Sequence, residues 1–247
     1  MSTQAYYDEY WTESGFLPEG KHLPPVIERL QPLVTKQTDV LDVGCGDGRT
    51  LGTWLAPRAK SYIGVDISKP AIALAQEAGL DARLIEDAGE LGLPDQSVDV
   101  VTCVEVLEHL FAPQLAVREI HRVLRPGGVV LFSVPNAAYW RRRADMALLG
   151  RWNPLGDDLS IEQPWRDPHI RFYTATNLAQ LLRHEGFAEV AVHGYGGTVT
   201  GDIPVVRNHV RRYGWANPAW TSHPLYGRLE RRFPGLLGYR LLAVARR

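Results

Sequence analysis

Three observations on this chain of 247 residues predict an α/β fold with a doubly wound, mostly parallel sheet. Short β-branched runs alternate with helix-like segments over the first 136 residues. The runs are near-continuously apolar instead of alternating with polar residues, as strands covered on both faces are. Prolines and glycines punctuate the segments between them where helices should begin and end. Strand, helix and strand repeated this often imply right-handed crossovers.

In chain order, the expected strands are DVLDVG (39–44), SYIGVDIS (61–68), ARLIED (82–87), VDVVTCVEV (98–106) and GVVLFSVPN (128–136). Between them RTLGTWLA, PAIALAQEAG and PQLAVREIHRVL read as helices. Pro70 and Pro113 suit first turns, Gly79 suits a helix end, and RPGG (125–128) reads as a turn before the fifth strand. After Asn136 the rhythm loosens. AAYWRRRADMALLG predicts a helix, RWNPLGDDLSIEQPWRDPHIRFY a long loop, and ATNLAQLLRHEGF a helix closed by Gly186. AEVAVHGY and YRLLAVARR are expected as late strands, separated by an insertion at about 196–238 rich in Pro, Gly, Arg and Trp. Loops as long as RWNPLGDDLSIEQPWRDPHIRFY inside a compact domain are usually functional lids or disordered. The expected organisation is one domain, 1–247, with an N-terminal lid (1–37), a binding core (38–136), a helix and substrate lid (137–175) and a C-terminal part (176–247).

A formal net charge of -1 argues against a protein built to coat nucleic acid. Two cysteines, Cys45 and Cys103, make no disulfide framework and point to a reducing cytoplasm. No apolar run has the length of a membrane span, and MSTQAYYDEYW has no signal-peptide character.

Open α/β sheets bind ligands beyond the carboxyl ends of their strands, first of all at the turn after the first strand. Here that turn is LDVGCGDGRT, where Gly44, Gly46 and Gly48 permit tight turning and close approach of a ligand. Arg49 stands where a dinucleotide fingerprint needs its third glycine. Asp42 would repel a pyrophosphate but suits a cationic amino group. Asp66, ending the second strand, is placed for a ribose diol, and Asp87, ending the third, for an exocyclic adenine amine. A nucleoside, a diol and an ammonium without phosphate describe S-adenosylmethionine.

VLDVGCGDG, GVDIS, EDA, SVDVVTCVEVLEH and REIHRVLRPGGVVLFSVPN, in this order between about Asp39 and Asn136, resemble the class I S-adenosylmethionine-dependent methyltransferases. The resemblance implies a Rossmann-like, seven-stranded, mostly parallel sheet with an antiparallel last strand. It also implies a cofactor site in which Asp42 and Gly44, with Cys45, Gly46 and Gly48, face the methionine part. Asp66 with Ile67 would face the ribose, Asp87 with Ala88 the adenine, and Val104 would line the site; the product would be S-adenosylhomocysteine.

If a helix begins at Glu105, then Glu105, Glu108 and His109 share one face at the end of the fourth strand. They could hold a divalent cation (Mg or Mn), with His169 of RDPHIRFY closing the set. Local resemblance to the ubiquinone-pathway O-methyltransferases and to the small-RNA-end 2′-O-methyltransferases implies this arrangement. The metal would lower the pKa of an acceptor hydroxyl, whose oxygen attacks the sulfonium methyl. Two other readings stand beside it: helix-start acids favoured by the macrodipole alone, or His109 or His169 as a metal-free general base.

Substrate choice should lie in the excursions. Tyr6, Tyr7, Tyr10 and Trp11 either lid the cofactor or staple the N-terminus to the core. Arg141, Arg142 and Arg143 are expected on a solvated face, with a site for an acidic or phosphorylated acceptor, or an anionic membrane surface, as the alternative. In the tail, Arg207, Arg211, Arg212, Arg228, Arg231, Arg232, Arg240, Arg246 and Arg247 face only Asp202 and Glu230, with Trp215, Trp220 and Tyr226 interleaved. That composition suits RNA, a cap over a small acidic acceptor, or a homodimer interface. The expectation is O-methylation of a small-molecule or glycan hydroxyl, with nucleic acid disfavoured. The rivals are an RNA-end 2′-O-methyltransferase, N- or C-methylation without metal, and a non-catalytic cofactor-binding module.

Overall fold

The computed structural model describes residues 3–13, 23–152, 167–196 and 232–247. Its centre is a seven-stranded sheet in the order β3-β2-β1-β4-β5-β7-β6. The strands are β1 (Asp39–Val43), β2 (Ser61–Asp66), β3 (Ala82–Leu84), β4 (Val98–Val104), β5 (Leu124–Pro135), β6 (Ala188–Tyr195) and β7 (Arg240–Arg246). Pairing is parallel from β3 through β5, while β7 runs antiparallel to both β5 and β6. The strand order reverses between β1 and β4, where both chains leave the sheet at the same end and open a crevice.

The apolar runs are continuous because alternate residues fill different cores. Leu41, Val43, Val101, Cys103, Val130, Phe132 and Val134 face one cluster, against α5 (Pro113–Val123) and α7 (Ala175–His184). Val40, Val100, Val129 and Leu131 face the other, against α2 (Pro24–Leu30) and α3 (Gly52–Leu55). A strand buried on both sides has no room for a polar alternation. α5 supplies Ala116, Val117, Ile120 and Val123 at helical spacing. α4 (Lys69–Glu77) starts with Ser68 as its cap and Pro70 in its first turn. Among the described residues the remaining α-helices are α1 (Thr3–Glu13), α6 (Trp140–Leu149) and the short α8 (Pro234–Leu237).

Three local expectations need correction. The helix over 49–56 is only Gly52–Leu55, because the glycine turn holds the chain through Leu51, whose φ of -123° is not helical. RPGG is not a turn before β5 but part of its span. A register shift between Val98 and Val100 of β4, with Gly127 at φ 79°, absorbs it as a bulge. The strand expected over 82–87 stops at Leu84, since β3 pairs only with β2 and only through Asp66.

β6 and β7 meet at a glycine pair. A Cβ on Gly238, just before β7, would lie 2.3 Å from the Gly194 Cα of β6, so position 238 could not carry a side chain without the backbone moving. The Asn136 side-chain amide donates to the Gly238 carbonyl at 2.7 Å, tying the end of β5 to the start of β7. Among the described residues no helix is long and apolar enough to cross a membrane. Of the tail, Arg207 through Arg231, with Trp215, Trp220 and Tyr226, lie outside the described residues, as do residues 153–166 of the long loop.

Candidate functional site

The crevice has two halves. On the β1–β2 side, the chain turns off β1 with Gly44, Gly46 and Gly48 all at positive φ. A Cβ at Gly44 would sit 2.2 Å from the Val106 Cγ2, and at Gly48 2.1 Å from the Leu80 Cδ1, so the loop packs where no side chain fits. The Gly44 and Cys45 amides both donate to the Val65 carbonyl. Cys45 is buried, and burial raises its thiol pKa, so it lines the loop as an uncharged group.

Asp66 ends β2 half-buried, with its carboxylate accepting from the Gly46 and Ser68 amides at 2.9 Å each. Burial raises its pKa, and backbone hydrogen bonds from Ser68, Gly46 and Ile67 oppose that shift. Asp42 is buried within β1, where Thr102 donates to it at 2.7 Å and the Tyr62 hydroxyl at 3.2 Å. Burial lifts its pKa to about 6, against those two hydrogen bonds. Among the described residues no cationic side chain is ion-paired with Asp42 or Asp66. Two desolvated acids beside a glycine cradle fit a ligand that brings its own positive charge and hydroxyls. Asp87 is exposed and accepts from the Gly89 amide at 2.6 Å, next to the buried Ala88. Val104 is half-buried at the tip of β4.

α1 crosses this half. Trp11 lies over the loop, 2.8 Å from where a Gly46 Cβ would stand. Asp8 accepts from the Lys69 amide at the start of α4 at 2.9 Å. Tyr7 packs edge-on to His109, ring centroids 5.8 Å apart, and burial raises its pKa with Glu108 and Asp66 among the contributors. The aromatic segment thus spans both halves of the crevice.

On the β4–β5 side, Glu105 does not begin a helix, contrary to the expected i, i+3, i+4 face. Its φ is 57°, a left-handed conformation, and the helical turn that follows is a 3-10 turn at Leu107–His109. The reversal swings the Glu105 carboxylate toward β5 and β7. There Ser133 donates to it at 2.6 Å and Arg240 Nε at 3.0 Å, while the Tyr195 hydroxyl is 2.6 Å from Ser133 Oγ.

Glu108, His109 and His169 do come together. The Ile170 and Arg171 amides donate to the Glu108 carbonyl, and Tyr173 OH to the Leu107 carbonyl, which bring His169 back over the turn. The imidazoles stack at 4.8 Å between centroids. The Nε2 atoms of His109 and His169 lie 3.9 and 3.8 Å from Glu108 Oε1. Their candidate donor atoms all fall within 4.8 Å of one another. His109 Nδ1 is 3.3 Å from the Pro168 carbonyl, which fixes the tautomer with Nε2 as the acceptor. Asp167 Oδ1 lies 3.1 Å from His169 Nδ1, off the angle for a hydrogen bond, and accepts from the His169 amide. Glu108 is 1% exposed, and neither carboxylate oxygen has a hydrogen-bond partner. Burial first, then Glu105, pushes its pKa well up. Burial and the neighbouring His169 pull His109 down to about 4, leaving it a neutral imidazole at pH 7.

A buried carboxylate without a donor is costly unless a cation meets it. Donors bound about 2.1 Å from an ion stand about 3–4 Å apart, a spacing that each imidazole keeps from Glu108 at 3.9 and 3.8 Å. One carboxylate, two imidazoles and a carboxylate behind one of them fit a divalent ion with further ligands from solvent or acceptor. No local pattern signals Tyr7 against His109, nor the Arg240–Glu105 pair, whose members are 135 positions apart. Asp167 was findable, two residues before His169. Arg142, expected on a solvated face, is instead 4% exposed, held by Asn136 and Tyr239.

Comparison with known proteins matches residues 41–132 to a methyltransferase-domain family model. A probable S-adenosylmethionine-dependent methyltransferase of Mycobacterium tuberculosis is 34% identical over 170 residues, 68% of this chain and 55% of that protein. A ubiquinone biosynthesis O-methyltransferase of Chromobacterium violaceum is 32% identical over 165 residues, 64% of this chain and 67% of that protein. The chain thus spans about half the length of the mycobacterial relatives it matches. Among solved structures, an S-adenosylmethionine-dependent methyltransferase of Archaeoglobus fulgidus shares the fold, with a TM-score of 0.62 at 18% identity over 97% of this chain and 99% of that one.

Proposed function

The chain belongs to the S-adenosylmethionine-dependent methyltransferases, and from that premise we propose that it moves the cofactor's methyl group to a hydroxyl oxygen of a small molecule or glycan, assisted by a divalent cation. The observation that carries the proposal is the buried Glu108 carboxylate with no donor of its own, met by two imidazoles. The name of the Chromobacterium relative, an O-methyltransferase, supports oxygen as the acceptor atom.

In this reading Asp42 takes the cofactor's ammonium, Asp66 its ribose hydroxyls, and Asp87 with Ala88 its adenine. Gly44, Gly46 and Gly48 let the methionine part lie against the backbone, while Tyr7 and Trp11 exclude water. Glu108, His109 and His169 would hold the metal, which when bound would supply Lewis acidity toward the acceptor hydroxyl. Glu105 has another task. Locked between Ser133 and Arg240, it holds the tip of β4 in its left-handed turn and so aims Glu108 inward. What remains for the protein is placement, bringing the acceptor oxygen in line with the sulfonium methyl.

A histidine acting alone as general base is the weaker reading. With a pKa near 4, His109 is a poor proton acceptor from an alcohol, whereas a neutral imidazole is what a metal requires. Two buried thiols and the absence of a spanning helix among the described residues suit a cytoplasmic enzyme.

Manganese titration of the S-adenosylhomocysteine-bound protein, followed by electron paramagnetic resonance, tests the site. One ion per chain, lost on His109→Ala with homocysteine-product affinity unchanged, is the expected result. No stoichiometric binding would remove the metal from the proposal and leave the acceptor atom open.

A further inference from the structure

α6 buries one residue in full, and that residue is Arg142. Its Nη1 donates to the Asn136 carbonyl at 2.9 Å, and its guanidinium lies 4.8 Å from the Tyr239 ring centroid. Nε and Nη2 are both buried with no hydrogen-bond partner. These two nitrogens form the side edge of the guanidinium, whose parallel N–H bonds match the two oxygens of a carboxylate or phosphate.

The same protein shows what that edge does elsewhere. Arg83 places Nε and Nη2 on Asp81 at 3.0 and 2.8 Å. Arg122 places them on Glu119 at 2.7 Å each, and Arg118 on Glu185 at 3.0 and 3.5 Å. Those three pairs lie at the surface or partly exposed, where a missing partner would cost little. Arg142, the most buried of the four, lacks one.

Local charge does not balance it. Arg240 sits on the same Tyr239 ring, 5.1 Å from the centroid, and its Nε is taken by Glu105. Besides Tyr239, which gives Arg142 a side-chain hydrogen bond, the charges that bear on it are Arg240 and Glu105, so with Arg142 itself two cations share one anion. The indole N–H of Trp140, two residues earlier, is also buried without an acceptor. The Arg142 edge itself lies beside the end of β5, where Nη1 is held by the Asn136 carbonyl.

We propose that Arg142 is the anion-recognising residue for the acceptor: the molecule to be methylated carries a carboxylate or phosphate group that the Nε–Nη2 edge of Arg142 takes in a bidentate pair. This rests on the methyltransferase reading above and adds the substrate class to it. An unmet buried charge is retained because its partner arrives with the substrate, at the expense of the free protein's stability.

The test titrates inorganic phosphate and, separately, benzoate into the S-adenosylhomocysteine-bound protein by calorimetry, in wild type, Arg142→Lys and Arg142→Met. Methionine keeps the buried stem without the charge, so its melting temperature, equal to or above wild type, certifies the fold. At least one anion should bind wild type, and its affinity should fall about ten- to hundredfold in Arg142→Met. Lysine, with a point charge but no fork, should fall between. Whichever anion binds tells carboxylate from phosphate. Equal affinity in wild type and Arg142→Met, or no binding of either anion, overturns the proposal. A lower melting point of Arg142→Met with anion affinity kept makes Arg142 an anchor of α6 and likewise overturns it. Retained S-adenosylhomocysteine binding in any of these outcomes leaves the cofactor reading standing, whereas its loss in wild type would fell that reading first.

Discussion

The two halves of the crevice treat their buried polar groups in opposite ways. On the β1–β2 side, Asp42 and Asp66 are desolvated but supplied with donors from Thr102, Tyr62 and the backbone of Gly46 and Ser68. On the β4–β5 side, Glu108 and the outer edge of Arg142 are desolvated and supplied with nothing. A satisfied acid is preorganised and costs little to keep. An unsatisfied one stores an energy that only a ligand can return. In the proposed function, one half is built before its ligand comes and the other is completed by it.

That contrast is breakable by substitution. Glu108→Gln removes the one anionic donor of the cluster, and turnover should fall by about 10²-fold or more while S-adenosylhomocysteine affinity holds. Single-turnover rates and calorimetry on the same sample check it, and a normal rate would make the unsatisfied half ornamental. Asp66→Ala should do the reverse, weakening S-adenosylhomocysteine by about ten- to hundredfold through lost charged hydrogen bonds, with manganese binding unaffected. Unchanged affinity would refute the ribose assignment.

Acidity sharpens the comparison. The Asp42 pKa is about 6 in the folded protein against an ordinary 3.8. The native state therefore holds this proton more tightly than the unfolded chain. Stability from this group is full below the ordinary value and lost as pH rises through about 6, at most about 3 kcal/mol. Cofactor binding should run the other way, because an ammonium pairs with the ionised acid: affinity should drop as pH falls below about 6. Asp42→Asn should flatten both profiles, melting temperature and calorimetric affinity, and a slope that survives it would locate the titration elsewhere. Smallest of all, Gly44→Ala should cost about 1–3 kcal/mol in denaturant unfolding, since φ is 73° and Val106 occupies the space.

The sequence is most legible where geometry is local. β1, β2, β4 and the glycine turn are set by residues within a few positions of one another, so their apolar runs and glycines identify them. Asp42, Asp66 and Asp87 are visible for the same reason, each at or beside a strand tip. Glu105 is misread because its left-handed turn is imposed from β5 and β7, by Ser133 and by Arg240, and no neighbour in sequence announces it. Arg142 hides between Arg141 and Arg143, where three like charges suggest one solvated face. Only the packing of α6 against Asn136 and Tyr239 separates them. His109 and His169 are each conspicuous, but their stacking depends on 170 and 171 returning to the Glu108 carbonyl.

The Gly194–Gly238 crossing bears on how such an enzyme can change. The chain leaves β6 after Tyr195 and re-enters at Arg240, its direct partner in the ladder, so the segment between departs and returns at one place. Loop closure there varies only slowly with length. Whatever connects the two strands can be exchanged, shortened or extended without altering a single sheet hydrogen bond. Asn136, gripping the Gly238 carbonyl, keeps that doorway beside the acceptor half. If that segment chooses the acceptor, as the proposed function has it, new acceptors can be tried by replacing it while the cofactor half is inherited untouched.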